Sequence, residues 1–385
     1  MNKLCAVLVA VIAVSAIGVA SAEIPKDVRI GYIFDSDWAE GVEGRVLAQM
    51  AIAEFNEYLD TIGADWTFSV SYEDAKSQGS IAVEKIQTFN SIGVDLLLGV
   101  AYSSHVQSAI RYIDANDLLV ISHGSQAASL EIDDSVFRLV PSDSNQAPAI
   151  NKMLSDAGIE ALITVVRGDA WGDGLVGSVV DGFNGTKVET GFRYNPEATE
   201  FSAEVSLLDA DIGKLIDEYG ADKVGVLYVG SDEFLPMIQS MKLYENIPNV
   251  RWFSSNIQAQ KNYFVDDPTA SKFAADTQFT VTRSITTADN HIKDAIDAKY
   301  MDMYNATIST YGYAAYDSVW LLGTTILQTQ SVDTNTLTDA IPHVAFRMLG
   351  SSGSLELTEY GDLATANYEI WQISDGAWMR LGAEN

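Results

Sequence analysis

The chain has 385 residues, 47% of them hydrophobic, and a formal net charge of −30. That balance supports a buried core and excludes a disordered chain, and it disfavours nucleic acid and anionic lipid as partners, since both need clustered Lys and Arg. The lone cysteine, Cys5, excludes a disulfide framework.

Residues 1–22 read as a secretory signal peptide. Lys3 precedes an apolar run from Leu4 to Val19, broken only by Ser15 and Gly18, and Ala20-Ser21-Ala22 offers a small-residue cleavage site. The run is short for a membrane span and lacks stop-transfer charges. The mature chain is expected to begin near Glu23, without a cysteine for lipid anchoring, as a soluble protein outside the cytoplasmic membrane.

Beyond that point, apolar runs of strand length alternate with helix-period stretches. Strands are expected at Val28–Phe34, Thr67–Tyr72, Val94–Val100 and Leu118–Ser122, then at Ala161–Arg167, Val188–Tyr194, Val224–Gly230 and Arg251–Ser254. Helices are expected at Gly44–Leu59, Ile81–Ile92, Ser104–Ile113, Ser144–Leu154, Phe201–Tyr219 and Glu233–Leu243. This is the rhythm of an α/β fold with mostly parallel sheets covered on both faces. It occurs twice, on either side of Asp143, in a chain too long for one core, so the expectation is two doubly wound parallel-sheet lobes. The short connection Val140-Pro141-Ser142-Asp143-Ser144 has the character of a hinge rather than a tether.

Between Val94 and Gln126 an apolar strand twice runs into a small polar turn and a helix, first through Ala101-Tyr102-Ser103-Ser104 and then through His123-Gly124-Ser125-Gln126. Such turns present hydroxyls and helix N–H donors at the carboxyl edge of a sheet, where a small anionic group is favoured. Ordinary N-capping accounts for either turn alone; the pair suggests a carboxylate cradle. Trp38 and Trp171 lie in loops where they can wall a pocket, and Tyr102 adjoins the cradle.

No nucleophile elbow, phosphate loop or zinc-protease motif is present, and His105, His123, His291 and His343 are scattered. The expectation is no catalysis, no cofactor and no metal.

The order of several modest motifs resembles the type I periplasmic binding proteins of the branched-chain amino acid receptor family, which serve ABC importers. These motifs are VRIGYIFD, the helix end Glu54-Phe55-Asn56, YEDAKSQGSIAVEKIQTF, GVAYSSHVQSA, ISHGSQAASL and FRLVPSDSNQ. They continue with GDAWGDG, Tyr194 spaced from Phe201, YGYAAYDSVWLL, GSSGSLELTEYGDL and YEIWQISDGAW. The resemblance implies two lobes joined by three crossings, residues 23–143 with 283–361 and residues 144–282 with 362–385, and a cleft between them that closes on a small ligand. It implies a monomer that captures a branched-chain or related amino acid for a membrane permease. A ligand-sensing protein of the same fold, or binding of an amide, a urea-like compound or a small carboxylate, is the alternative.

Carried over residue by residue, Ser103, with Ser104 beside it, matches the serine that holds the ligand carboxylate, and Gly124 and Gln126 match the contacts of the second turn. Trp171 stands where a tyrosine is common, Ser231 where another aromatic sits, and Asn256 where an acid usually accepts from the ligand ammonium. Asp143, Asp232 or Glu40 could supply that missing charge; otherwise the ligand has no ammonium.

Overall fold

The computed structural model describes residues 24–285, 290–374 and 376–381. The signal-peptide expectation lies outside the described residues. No helix among the described residues is long and apolar enough to cross a membrane.

The chain first builds β1 (Asp27–Phe34), α1 (Ala39–Thr61), β2 (Thr67–Asp74), α2 (Gly79–Ser91), β3 (Leu96–Gly99), α3 (Ser103–Ala115), β4 (Leu119–Ser122) and β5 (Val136–Arg138). These five strands form one wholly parallel sheet in the order β2-β1-β3-β4-β5. There follow α4 (Asp143–Asp156), β6 (Ala161–Arg167), α5 (Ala170–Gly182), β7 (Lys187–Tyr194), α6 (Ser202–Tyr219), β8 (Val224–Val229), α7 (Phe234–Met241), β9 (Arg251–Ser254), α8 (Tyr263–Asp266), α9 (Pro268–Asp276) and β10 (Thr280–Ser284). Next come α10 (His291–Tyr304), α11 (Thr310–Thr329) and α12 (Thr334–Ala345), the two-residue strands β11 (Leu349–Gly350) and β12 (Gly353–Ser354), and finally β13 (Tyr368–Ser374) and β14 (Ala377–Leu381).

The second sheet runs β14-β13-β10-β9-β8-β6-β7, parallel except where β13 meets β10 and β14. The fold is therefore α/β, with a parallel-sheet lobe on each side of the cleft. The inner strands of both sheets are covered on both faces by helices: β3, β4, β6 and β8 are buried throughout. Helices α10 to α12 return to the first sheet, where residues of α11 and α12 share one core with Leu47, Phe55, Leu96 and Ile121. A separate core centred on Trp252, Phe234 and Phe279 fills the second lobe.

All eight expected strands form, two with the expected ends and the others with ends shifted by at most two residues. Of the four further strands in these sheets, β13 and β14 fall in the YEIWQISDGAW motif and two went unread. Val136–Arg138 is too short to show a period, and Thr280–Ser284 alternates with polar residues although Thr280 and Thr282 are buried. Helix α5 went unread because four glycines weaken its helical signal. One of them is obligatory: a Cβ on Gly172 would stand 2.1 Å from the carbonyl oxygen of Arg167, so only glycine lets α5 start this close to the end of β6.

Two passes between the lobes are fastened together. Arg138 N donates to Gly361 O at 2.9 Å and Leu363 N donates to Arg138 O at 2.9 Å. The Arg138 side chain, almost fully buried, forks onto both carboxylate oxygens of Asp362 and also donates to Ala127 O at 2.8 Å. A buried guanidinium without its carboxylate is strongly destabilising, so Asp362→Ala is expected to cost about 3–5 kcal/mol, read from urea unfolding. A loss below about 1 kcal/mol, the range of an exposed pair, would remove Asp362 from this role.

Candidate ligand cleft

In each sheet the strand order reverses at one place. In the first, β1 sits between β2 and β3, so the loops leaving the carboxyl ends of β1 and β3 go to opposite faces and part. In the second, β6 sits between β7 and β8 with the same result. The two crevices face one another. Between them lies a small cavity, lined from the first lobe by Trp38, Ala101, Tyr102, Ser103, Gly124 and Gln126 and from the second by Arg167, Trp171, Ser231 and Ile257.

Seven of the ten candidate residues therefore meet in one cavity: Trp38, Tyr102, Ser103, Gly124, Gln126, Trp171 and Ser231. Ser104, Asn256 and Asp143 do not line it. Ser104 lies on the half-buried side of α3, where its carbonyl accepts from Ser108 Oγ at 2.7 Å. Arg167, Ala101 and Ile257 were missed. Arg167 carried a signal, since it ends an apolar strand immediately before a Gly-Asp turn; the other two are apolar residues with no distinguishing pattern.

The cradle differs from its expected form. The N–H groups of the second turn are not free: Ser122 Oγ accepts from Gly124 N and Ser125 N at 3.4 and 3.2 Å, and Ser103 Oγ accepts from Gln126 N and Ala127 N at 3.2 and 3.1 Å. Ser125 Oγ also donates to Ser103 Oγ at 3.2 Å. Ser103 thus ties the two turns together. The donor potential that remains is its own hydroxyl hydrogen and the N-terminus of α3, where Tyr102 supplies no side-chain cap. Just upstream, Val100 takes a φ of 48°, unfavourable for a β-branched residue, and donates to Ile33 O at 3.0 Å. That strain marks the edge from which Ala101 to Ser103 enter the cavity.

Gln126 and Asn256 meet across the cleft. Gln126 Oε1 accepts from Tyr311 OH at 2.7 Å and from Asn256 Nδ2 at 3.3 Å, while Gln126 Nε2 donates to Pro141 O at 3.1 Å. Asn256 Nδ2 also donates to Tyr311 OH at 3.1 Å, and its Oδ1 accepts from Gln146 Nε2 at 2.5 Å. A carboxylate at position 256 has no hydrogen to donate, so this network explains an amide there.

Three acids compete for the role of ammonium acceptor, and two already share one cation. Lys261 reaches Glu40 at 2.8 Å and Asp232 at 2.9 Å, joining the lobes through a cation whose burial is outweighed by those two carboxylates, which hold its pKa above the ordinary value. Asp143 is different. It is fully buried, and neither carboxyl oxygen has a hydrogen-bond partner among the described residues. Burial pushes its pKa well above the ordinary value, against the pull of Arg138 and of the nearby Trp171 indole. Gln146, one turn along α4, also leaves Oε1 unpartnered.

Behind Tyr102 lies a second buried group. Asp35 Oδ1 accepts from Ser77 N at 2.9 Å, and Asp35 Oδ2 stands 3.8 Å from His105 Nδ1. Burial raises Asp35 to about 7 and lowers His105 to about 4, so near neutral pH the imidazole is uncharged and the carboxyl keeps its proton about half the time. No cluster of potential metal ligands is found among the described residues.

Two predictions follow from these contacts. Ser103→Ala leaves two buried amides without their acceptor and is expected to lower fold stability by about 1–3 kcal/mol with no ligand added; an unchanged unfolding midpoint would show that Ser103 does not hold the second turn. For Asp35, a folded pKa above the unfolded one means that the native state holds its proton more tightly. Stability is therefore lost as pH rises from about 4 to about 7, by up to about 1.4 kcal/mol per pH unit. Asp35→Asn removes that loss and should match the parent protein near pH 4 and exceed its stability at pH 8; equal curves at both pH values contradict the assignment.

Comparison with known proteins places this geometry. The family described as "receptor family ligand binding region" matches residues 47–376. An uncharacterized protein of Methanocaldococcus jannaschii is 21% identical over 381 residues, covering 92% of this chain and 89% of the relative. The leucine binding protein LivK of Thermotoga maritima superposes with a TM-score of 0.77 at 16% identity, covering 92% of this chain and 97% of that one. LivJ of Streptococcus pneumoniae, a branched-chain amino acid transporter substrate binding protein in complex with isoleucine, gives 0.72 at 16% identity over 92% and 99%. An ABC transporter solute binding protein of R. palustris, in complex with benzoate, gives 0.70 at 15% identity over 92% and 96%. At these identities the likeness is one of fold, that of the type I periplasmic binding proteins.

Proposed function

This chain belongs to the receptor ligand-binding-region family, and from that membership we propose that it is the solute-capturing component of an ABC importer. It works outside the cytoplasmic membrane, without catalysis, and delivers its ligand to a permease. The observation that carries this reading is the cavity walled by both lobes at the two places where strand order reverses. A ligand that touches both walls stabilises the closed arrangement by its differential contacts, and closure is what a permease can read.

The ligand is of the amino-acid class. Its carboxylate docks on Ser103 and the uncapped N-terminus of α3. Its ammonium approaches Asp143, the one acid among the three candidates that no cation holds. An ammonium arriving there would stabilise the ionised form of a carboxyl that burial otherwise keeps protonated. Trp38, Tyr102, Trp171 and Ile257 wall the remainder, and Gly124 stays bare because a Cβ there would lie 3.0 Å from that of Ala101 and 3.3 Å from the Trp38 ring. Gln126 and Asn256 act beside the ligand by fastening the lobes to each other.

The test is a thermal-shift screen of amino acids against their deaminated analogues. A ligand at 100 times its dissociation constant stabilises by about 2.7 kcal/mol, a shift readily seen. Amino acids are expected to raise the midpoint and the deaminated acids not. Asp143→Asn should then weaken binding of the amino acids tenfold or more while leaving the unliganded protein at least as stable, because it removes a buried ionisable group. Stabilisation by deaminated acids alone would refute the ammonium site.

A further inference from the structure

Arg167 ends β6 and places its guanidinium on the second-lobe wall of the cavity, with 6% of the residue exposed. Its Nε donates to Asp169 Oδ2 at 2.6 Å and its Nη1 donates to Glu233, whose other oxygen accepts from Ser231 N at 3.0 Å. The Tyr102 ring, from the first lobe, lies 5.6 Å from the guanidinium carbon. These contacts hold a planar group of five N–H donors in one orientation. Among the described residues, Nη2 has no hydrogen-bond partner.

A guanidinium carried only for the stability of the second lobe would need no place on the cleft wall. One fixed there by two carboxylates, with an unused nitrogen, is a preorganised donor. Its charge is already exceeded by Asp169 and Glu233, so a second carboxylate docking on Nη2 would meet two like charges, whereas a neutral oxygen would not. A branched aliphatic side chain would cover Nη2 without offering an acceptor, and a site built to donate a hydrogen bond discriminates strongly against a ligand that cannot accept it. Resting on the amino-acid reading above, we infer that Arg167 is a specificity-determining residue, selecting ligands whose side chain ends in a neutral oxygen acceptor, such as a carboxamide, over branched aliphatic ones.

Leucine, asparagine and aspartate provide the probe, since they carry the same branched skeleton tipped with two methyls, a carboxamide or a carboxylate. In calorimetric titration of the full chain, asparagine is expected to bind at least tenfold more tightly than either of the others. Removing Arg167 alone would strand two buried carboxylates. The companion protein therefore carries Arg167→Met, Asp169→Asn and Glu233→Gln together; Asn can still cap α5 and Gln can still accept from Ser231. There the preference for asparagine over leucine should fall tenfold or more with the unfolding midpoint little changed.

Tightest binding of leucine or aspartate by the parent protein overturns the inference, and so does a triple variant that folds and keeps the parent ratio; in both cases Arg167 is a structural ion-pair partner. The parent ratio decides the matter even if the triple variant does not fold. If no amino acid binds, the ammonium site fails separately, and isocaproate, succinamate and succinate repeat the comparison without the amine. Preference for succinamate then sustains the role of Arg167, and absence of binding in both series overturns it as well.

Discussion

Parallel pairing is the constraint from which the rest of this structure proceeds. A strand that must run beside its predecessor in the same direction returns through a crossover helix, so every strand delivers its carboxyl end to the same edge of the sheet. Where successive crossovers go to opposite faces, the loops part and leave a crevice. The first sheet parts between β1 and β3 and the second between β6 and β8, which brings Trp38, Ser103, Arg167 and Ser231 to one place although 193 positions separate the first from the last. Glycine at 172 and a strained valine at 100 are local consequences of turning the chain sharply at these edges.

The polar groups between the lobes divide into those that are satisfied by one another and those that are not. Asn256, Gln126, Tyr311 and Gln146 form a hydrogen-bonded chain across the cleft, and Lys261 joins Glu40 to Asp232. Such groups lose hydration when the lobes meet and recover it in mutual contacts, so their net effect is small and mainly directional: they fix how the lobes register. Asp143 and the Nη2 of Arg167 lie outside this accounting. Unsatisfied buried polar atoms are uncommon in folded proteins. The Asp143 carboxyl is such a group, and the unused Nη2 of Arg167 belongs to a residue of the cavity wall; the proposed ligand chemistry rests on these two.

Much of the architecture was legible because burial on both faces of a strand writes itself as a continuous apolar run. Ala161–Arg167 and Val224–Val229 are read directly from such runs. Strand Thr280–Ser284 escaped because polar residues, Thr280, Thr282 and Ser284, hold three of its four buried positions, and α5 because four glycines weaken its helical signal, Gly172 among them for close packing against Arg167. Among the site residues, Ser103 and Trp171 were visible from their turns. The occupation of Ser103 by the amides of Gln126 and Ala127 was not, since it depends on the distance between two separate strand ends. Arg167 was passed over because an arginine at a strand end ordinarily faces solvent, and only the fold shows it enclosed between two carboxylates and a ring from the opposite lobe.

Sequence by itself determined the local alternation of strand and helix, the two α/β halves and the turns that carry the cavity residues, because periodicity and turn chemistry act over a few neighbouring positions. Tertiary structure alone decided which charges remain unpaired. Glu40, Asp232 and Asp143 are equivalent as letters, yet Lys261 lies between the first two and, among the described residues, no cation pairs with the third. An ion pair is set by distances of a few ångströms between residues far apart in the chain, and those distances exist only once the lobes have folded and met.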